Sequence, residues 1–276
     1  MSIFLQTAMG PIFPYLKAGP WKFGPFVIHM FGLLVGIAIL VGVFMTNRRG
    51  FQKNLNPLYT SEMVIAGIIG LFVVSHIFAI VFYYPERILK EPLVLFKLWD
   101  GMASFGGLIG LFLGIFLYLR YRKQPFWPYA DTILWGGIHA WVFGRMGCSF
   151  AHDHPGTFTS SWFSVRWPVN HPDQIFNPDM LPGRHDLGLY EFFYTFIILG
   201  VLYLTARKND PFPGFTSSII FMLYGPVRFM MDFVRTTDLT FFYLTAGQYV
   251  AIMISVFGVF LFFRNRKIHI NGGVVG

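Results

Sequence analysis

Seven stretches of the chain stay apolar long enough to cross a bilayer, which takes about 20 residues for about 30 Å of hydrocarbon. They predict spanning helices over Phe26–Thr46, Glu62–Tyr84, Ser104–Tyr121, Tyr129–Phe150, Gly188–Thr205, Gly214–Val234 and Ala246–Phe263. The polar connections are short except Ala151–Leu187, a segment rich in Pro, Asp, His and Trp and too small for a core of its own. Ahead of the first span, MSIFLQTAMGPIFPYLKAGPW lacks the basic start and compact apolar stretch of a signal peptide. With Pro11 and Pro14 it reads as a short interfacial segment. No internal repeat is evident, which argues against a transporter built from duplicated halves.

Composition narrows this further. Of 276 residues, 55% are hydrophobic and only 12% charged, against about a quarter charged in soluble domains. Disorder, a coiled coil and an ordinary soluble enzyme are thereby excluded. A single cysteine, Cys148, rules out an internal disulfide and a Cys-rich zinc site. The net charge of +8 invites a nucleic-acid reading, which the distribution removes. Arg48, Arg49 and Lys53, then Arg120, Arg122 and Lys123, Arg207 and Lys208, and Arg264, Arg266 and Lys267 fall on one side if the spans alternate. These are 11 of the 21 basic residues, and they mark the cytoplasmic face. The expected fold is an all-α polytopic membrane protein with seven transmembrane helices, N-terminus outside and C-terminus cytoplasmic. It forms a single membrane domain, 1–276, with a small extracytoplasmic head, 151–187, inserted between spans four and five.

Ionisable groups inside spans are costly and usually face a cavity or a partner. Here they are His29, His76, Asp131, His139, Arg145, Glu191, Arg228 and Asp232. Most lie toward the outer side, with Asp131 the exception near the inner end of span four. Guanidinium stays charged and binds phosphate through two bonds at once. Arg145, Arg228 and Arg235, with Tyr224 close by in sequence, therefore outline a phospholipid headgroup site. The plainer alternative is that each arginine snorkels to headgroups. Asp232 is one helical turn from Arg228 and able to pair with it. Gly106 and Gly107 lie in a glycine-rich run through Gly110 that permits close approach of a ligand. The small-xxx-small spacing of Gly106 and Gly110 equally suits helix packing.

In order along the chain, these pieces resemble the prolipoprotein diacylglyceryl transferase family. The resemblance rests on Gly24-Pro25 with His29-Met30-Phe31-Gly32, Trp99-Asp100-Gly101 with Gly106-Gly107-Leu108-Ile109-Gly110, and Asp131. It continues through Gly144-Arg145-Met146-Gly147 with Gly156, Arg184-His185, Leu189-Tyr190-Glu191, Tyr224-Gly225-Pro226-Val227-Arg228 and Gly247-Gln248. It implies a bacterial inner-membrane enzyme that moves the diacylglyceryl group of phosphatidylglycerol to the lipobox cysteine thiol of a prolipoprotein signal peptide. Glycerol 1-phosphate leaves, the product is a thioether, and no metal, cofactor or nucleic acid takes part. By the same resemblance Arg145 and Arg228 hold the phosphate and Tyr224 lies at the reaction centre. Arg235, Gly106, Gly107, Asp153, Gly156, Glu191 and His29 line the substrate site.

Against the family pattern, Phe105 stands where a histidine commonly precedes the paired glycines, and Cys148 where an asparagine is expected. Asp153 aligns with the usual acidic residue before Gly156, and His76 with a basic residue of span two. The missing loop histidine makes His152, His154 and His185 candidate bases for the acceptor thiol. His152, Asp153 and His154 with His171 or His185 are also a conceivable metal set, although adjacent residues rarely point at one ion. Cys148 is a candidate nucleophile, but the resembled chemistry uses the substrate's cysteine, and a lone cysteine in a membrane helix is usually a small apolar filler. Two other readings follow from these departures: a divergent paralogue with another lipid or acceptor, and a non-catalytic lipid-binding or assembly protein.

Overall fold

A computed structural model describes residues 11–24, 26–98, 101–168, 183–236 and 240–273. Trp99, Asp100 and His171 lie outside the described residues. The helices are α1 (Met30–Gln52), α2 (Pro57–Tyr83), a short α3 (Pro85–Lys90), α4 (Ser104–Tyr121), α5 (Phe126–Ala151), α6 (Leu187–Thr205), α7 (Phe215–Met231) and α8 (Ala246–Ile270). Among them α1, α2, α6, α7 with its 3-10 extension to Val234, and α8 make 5 helices long and apolar enough to cross a membrane. Gly106–Tyr121 within α4 is a shorter apolar helix. At 26 residues α5 has the length, but Asp131, His139 and Arg145 make it more polar. Large apolar side chains such as Leu40, Phe44, Phe82 and Leu204 point outward, an arrangement that suits a lipid surround and not water.

The helices pack mainly in pairs, α2 on α4, α1 on α5 and α7 on α8. Small residues allow this closeness, since lipid supplies no hydrophobic drive for helices to associate. A Cβ on Gly70 or on Gly110 would overlap the other glycine's carbonyl oxygen, and one on Gly106 would lie 2.9 Å from the Val74 carbonyl oxygen. From Ser104 onward the run through Gly110 is helical, and contact with α2 accounts for Gly106.

Small sheet elements modify the all-α expectation. Phe26–Ile28 (β3) pairs antiparallel with Trp21–Phe23 (β2), so α1 starts at Met30, four residues later than predicted. An apolar run alone does not separate a short strand from the first turn of a helix. The head carries a four-stranded sheet in which β1 (Phe13–Pro14), β5 (Val165–Arg166), β6 (Gly183–Asp186) and β4 (Pro155–Thr159) follow in that order. The segment expected to lie along the interface thus gives Phe13 and Pro14 to the head, parallel to β5. A last hairpin, β7 (Thr240–Phe241) and β8 (Leu244–Thr245), leads into α8. Thr245 and Gln248 start α8 as a reciprocal capping box. The helix runs past Phe263 to Ile270, because basic residues propagate a helix readily and suit its C-terminal end.

At the opposite end of the helices from the head, a buried ionic cluster ties α1, α5 and the start of α7. Asp131 is fully buried and accepts from the Gly214 amide (2.6 Å), the Ser217 amide (2.8 Å) and the Ser217 hydroxyl (2.6 Å). Lys53 lies 4.0 Å from it and also pairs with Asp210. Arg49, fully buried, donates to Asp210 (3.1 Å) and to the Arg207 carbonyl (2.9 Å), with its guanidinium 4.2 Å from the Trp135 ring centre. Asp131 therefore caps α7 from inside the bundle. Asp131→Ala would leave those buried donors without their acceptor, at a cost of about 3 kcal/mol. Thermal unfolding in detergent checks this: a large drop in Tm is expected, and an unchanged Tm would refute the cap.

Candidate active site

The site forms where α5, α6 and α7 meet the head. Helix α6 starts cleanly because the Asp186 side chain accepts from the Leu189 amide at 2.9 Å. Glu191 then falls in the second turn, only 2% exposed. A buried carboxylate is tolerated only with charge and hydrogen bonds around it, and Glu191 has three partners. Its Oε2 lies 2.8 Å from Arg145 Nε and accepts from the Tyr224 hydroxyl at 2.9 Å. Its Oε1 lies 3.4 Å from Arg228 Nη1. One carboxylate from α6 thus gathers the arginine of α5 and the tyrosine and arginine of α7.

A second carboxylate extends the array. Asp232, in the 3-10 turn after α7, pairs with Arg228 at 2.9 Å, accepts from the Thr245 hydroxyl at 2.8 Å and lies 3.9 Å from Arg235. Three guanidiniums against two carboxylates leave the cluster one net positive charge, which suits a phosphate. Trp141, one turn before Arg145, sits with its ring centre 4.3 Å from that guanidinium and its edge toward Tyr224. It anchors Arg145 through a cation–π contact. Sequence reading passed over Trp141 and made Glu191 one substrate contact among several; nothing local in the sequence distinguishes a hub carboxylate from a single ion pair.

Gly156 joins the head to this array. It bridges Arg235 across an antiparallel pair, and its carbonyl accepts from Arg184 Nε at 2.7 Å. A Cβ there would stand 2.7 Å from both the Val234 carbonyl oxygen and His185 Cβ. Only glycine lets the three segments meet. His29 is exposed at the N-cap of α1 and makes no side-chain capping bond. Gly107 makes ordinary contact with Leu71 and Ser75 of α2. His76, fully buried, faces the carbonyls of Val94 (2.8 Å) and Gly101 (3.0 Å), and Ser75 bonds the Ala103 carbonyl (2.8 Å). These two residues pin the chain leading into α4.

The three candidate base histidines separate. His152 caps α5 in the left-handed conformation; its Nδ1 meets Asp186 at 2.9 Å, its Nε2 faces the Leu16 carbonyl at 3.2 Å, and it stacks on Tyr15. Both of its ring nitrogens thus face protein acceptors. His185 donates from Nδ1 to Tyr190, whose hydroxyl in turn donates to the Phe163 carbonyl at 2.6 Å. Burial pushes its pKa below the ordinary histidine value, making it the weaker base. His154 differs: its Nδ1 meets Asp153 at 2.5 Å, and its side chain is partly exposed. The left-handed His152 reverses the chain, so that Asp153 and His154 fold back toward Cys148, whose sulfur lies 4.0 Å from Arg145 Nη1.

Apolar helices around a buried array of arginines, carboxylates and a tyrosine, capped by a small polar head, define a helical membrane protein with a cluster of buried charges near one end. Comparison with known proteins makes the class specific. The chain belongs to the prolipoprotein diacylglyceryl transferase family, whose profile matches residues 20–264. It is 30% identical over 260 residues to the phosphatidylglycerol–prolipoprotein diacylglyceryl transferase of Methylococcus capsulatus, covering 90% of this chain and 95% of that one. It is 28% identical over 253 residues to the enzyme of the same name from Chromohalobacter salexigens, covering 88% and 90%. Against the Escherichia fergusonii enzyme the identity is 28% over 276 residues, covering 90% and 93%.

Proposed function

We propose that this protein transfers the diacylglyceryl group of phosphatidylglycerol to the lipobox cysteine thiol of a prolipoprotein signal peptide. The observation that carries the reading is the convergence of Arg145, Arg228 and Tyr224 on Glu191, within a chain of this family. The membrane setting is a bacterial cytoplasmic membrane crossed seven times, with α4 and α5 added to the 5 helices that are long and apolar enough on their own. The N-terminus is outside, the C-terminus is cytoplasmic, and the head faces outward. Lipid enters laterally, and the peptide approaches from the outer side.

The chemistry follows from charge. The substrate thiol loses its proton, and the sulfur attacks the glycerol carbon of the diacylglyceryl unit. The carbon–oxygen bond to phosphate breaks, its electron pair goes to the phosphate oxygen, and glycerol 1-phosphate departs. Arg145 and Arg228 stabilise the growing phosphate charge in a dry site. Tyr224 donates its hydroxyl proton to Glu191 at 2.9 Å and so holds that carboxylate between the two arginines. Arg235 widens the positive field, and Gly156 holds it in position.

His154 serves as the base. Asp153 fixes its Nδ1 proton, which leaves Nε2 to take the proton from a thiol of ordinary pKa near 8.5. His154→Ala is expected to slow transfer by about 10²-fold at neutral pH. The deficit should shrink as pH rises toward the thiol's own pKa, because the thiol then ionises unaided. His152→Ala and His185→Ala should lack that pH signature. Initial rates with a lipobox peptide between pH 6.5 and 9 decide it, and wild-type rates after alanine at all three positions, singly and together, would end the base assignment.

Phe105 and Cys148, standing where the family pattern has other residues, favour a second reading: a paralogue for another lipid or acceptor, or a lipid-binding protein without catalysis. Complementation of a strain depleted of its diacylglyceryl transferase separates the two. Rescue that disappears with Arg145→Ala supports the first reading; failure of a properly inserted protein to rescue supports the second.

A further inference from the structure

Among the described residues, Cys148, Asp153 and His154 each offer a ligand atom, and these atoms lie within 4.8 Å of one another. We propose that they form a binding site for a divalent metal ion of the zinc type at the outer end of α5, and that its occupation shuts down transfer. The set differs from the one the sequence suggested. His152 is tied to Asp186 and Leu16, and the chain reversal it makes brings in Cys148 instead.

The donors suit the ion. Thiolate, imidazole and carboxylate are the ligands zinc takes, at about 2.0–2.3 Å in a tetrahedron, with water able to fill the fourth position. Such ligands stand roughly 3.5 Å apart, so the sulfur has to come closer to the other two groups while the 2.5 Å contact between His154 and Asp153 opens. Asp153 and His154 are on the turn after α5 and at least partly exposed. Binding releases the thiol proton to solvent. Thiolate and carboxylate then balance the ion's two charges, so no net charge is set against Arg145, 4.0 Å from the sulfur.

The inhibitory half of the proposal rests on His154 being the base, because a ring nitrogen held by metal no longer accepts the thiol's proton. The binding half stands without it. Cobalt(II) is the probe, added to the purified full-length protein in nanodiscs, with zinc as competitor. One equivalent is expected to give a thiolate-to-cobalt charge-transfer band that zinc removes. Cys148→Ala should abolish the band, and His154→Ala should weaken affinity by about tenfold or more. Zinc should lower wild-type transfer by about tenfold or more, while Cys148→Ala, read against its own metal-free rate, should resist it. Absence of the band, or equal cobalt affinity in wild type and Cys148→Ala, overturns the site. Zinc binding with undiminished transfer overturns the inhibition. A protein that binds cobalt through Cys148 but transfers nothing when metal-free contradicts the transferase reading and leaves the site intact.

Discussion

Arg145→Ala is expected to lower diacylglyceryl transfer by about 10³-fold with little change in phosphatidylglycerol binding. Removing one donor aimed at developing charge costs on that scale in a dry site. Arg145 carries the effect because α5, Trp141 and Glu191 fix it on three sides, so its charge is in place before phosphate leaves. Arg145→Lys should recover little, since an ammonium lacks the planar fork that spans two phosphate oxygens. Single-turnover rates with a lipobox peptide, beside lipid binding to the same preparation, make the test. An unchanged rate for the alanine variant would remove Arg145 from the reaction.

Glu191→Ala should be the most damaging single change to the site as a structure. Arg145 and Arg228 are largely buried, with side chains 13% and 16% exposed, and Glu191 balances both. Losing one partner of a buried ion pair costs about 3–5 kcal/mol, because the other charge stays behind uncompensated. Glu191→Gln keeps the shape and an acceptor for Tyr224 but not the charge, and it should fall between wild type and alanine. Thermal unfolding in detergent ranks the three. If Glu191→Ala melts with the wild type, the carboxylate is not what gathers the site, and the arginines are held by something else.

Much of this was legible in the sequence because membrane burial speaks plainly. Long apolar runs announced the helices, and Ser104–Tyr121 is found with the predicted bounds. Arginines inside spans stood out because few charges compete with them. Other features depend on distance and were invisible. Glu191 looked like any acidic residue at a helix start until Arg145, Tyr224 and Arg228 met it from two other helices. Asp131 offered no hint that its target was the start of α7, more than 80 residues away. The three histidines were equivalent in sequence and became distinct only through partners: Asp186 and Leu16 for one, Tyr190 for the second, Asp153 for the third. Strand β3 was hidden by its apolar content, which a helix start shares, whereas β6, Gly183–Asp186, has no apolar alternation to announce a strand.

If the arginines grouped by Glu191 serve the transfer of a diacylglyceryl group from phosphatidylglycerol to a thiol, the reaction is visible by mass spectrometry with the purified protein in phosphatidylglycerol vesicles and a peptide with one lipobox cysteine. The expected product is a peptide carrying a diacylglyceryl thioether, with an equal amount of glycerol 1-phosphate released. An unmodified peptide from a folded, lipid-binding protein would contradict the transfer.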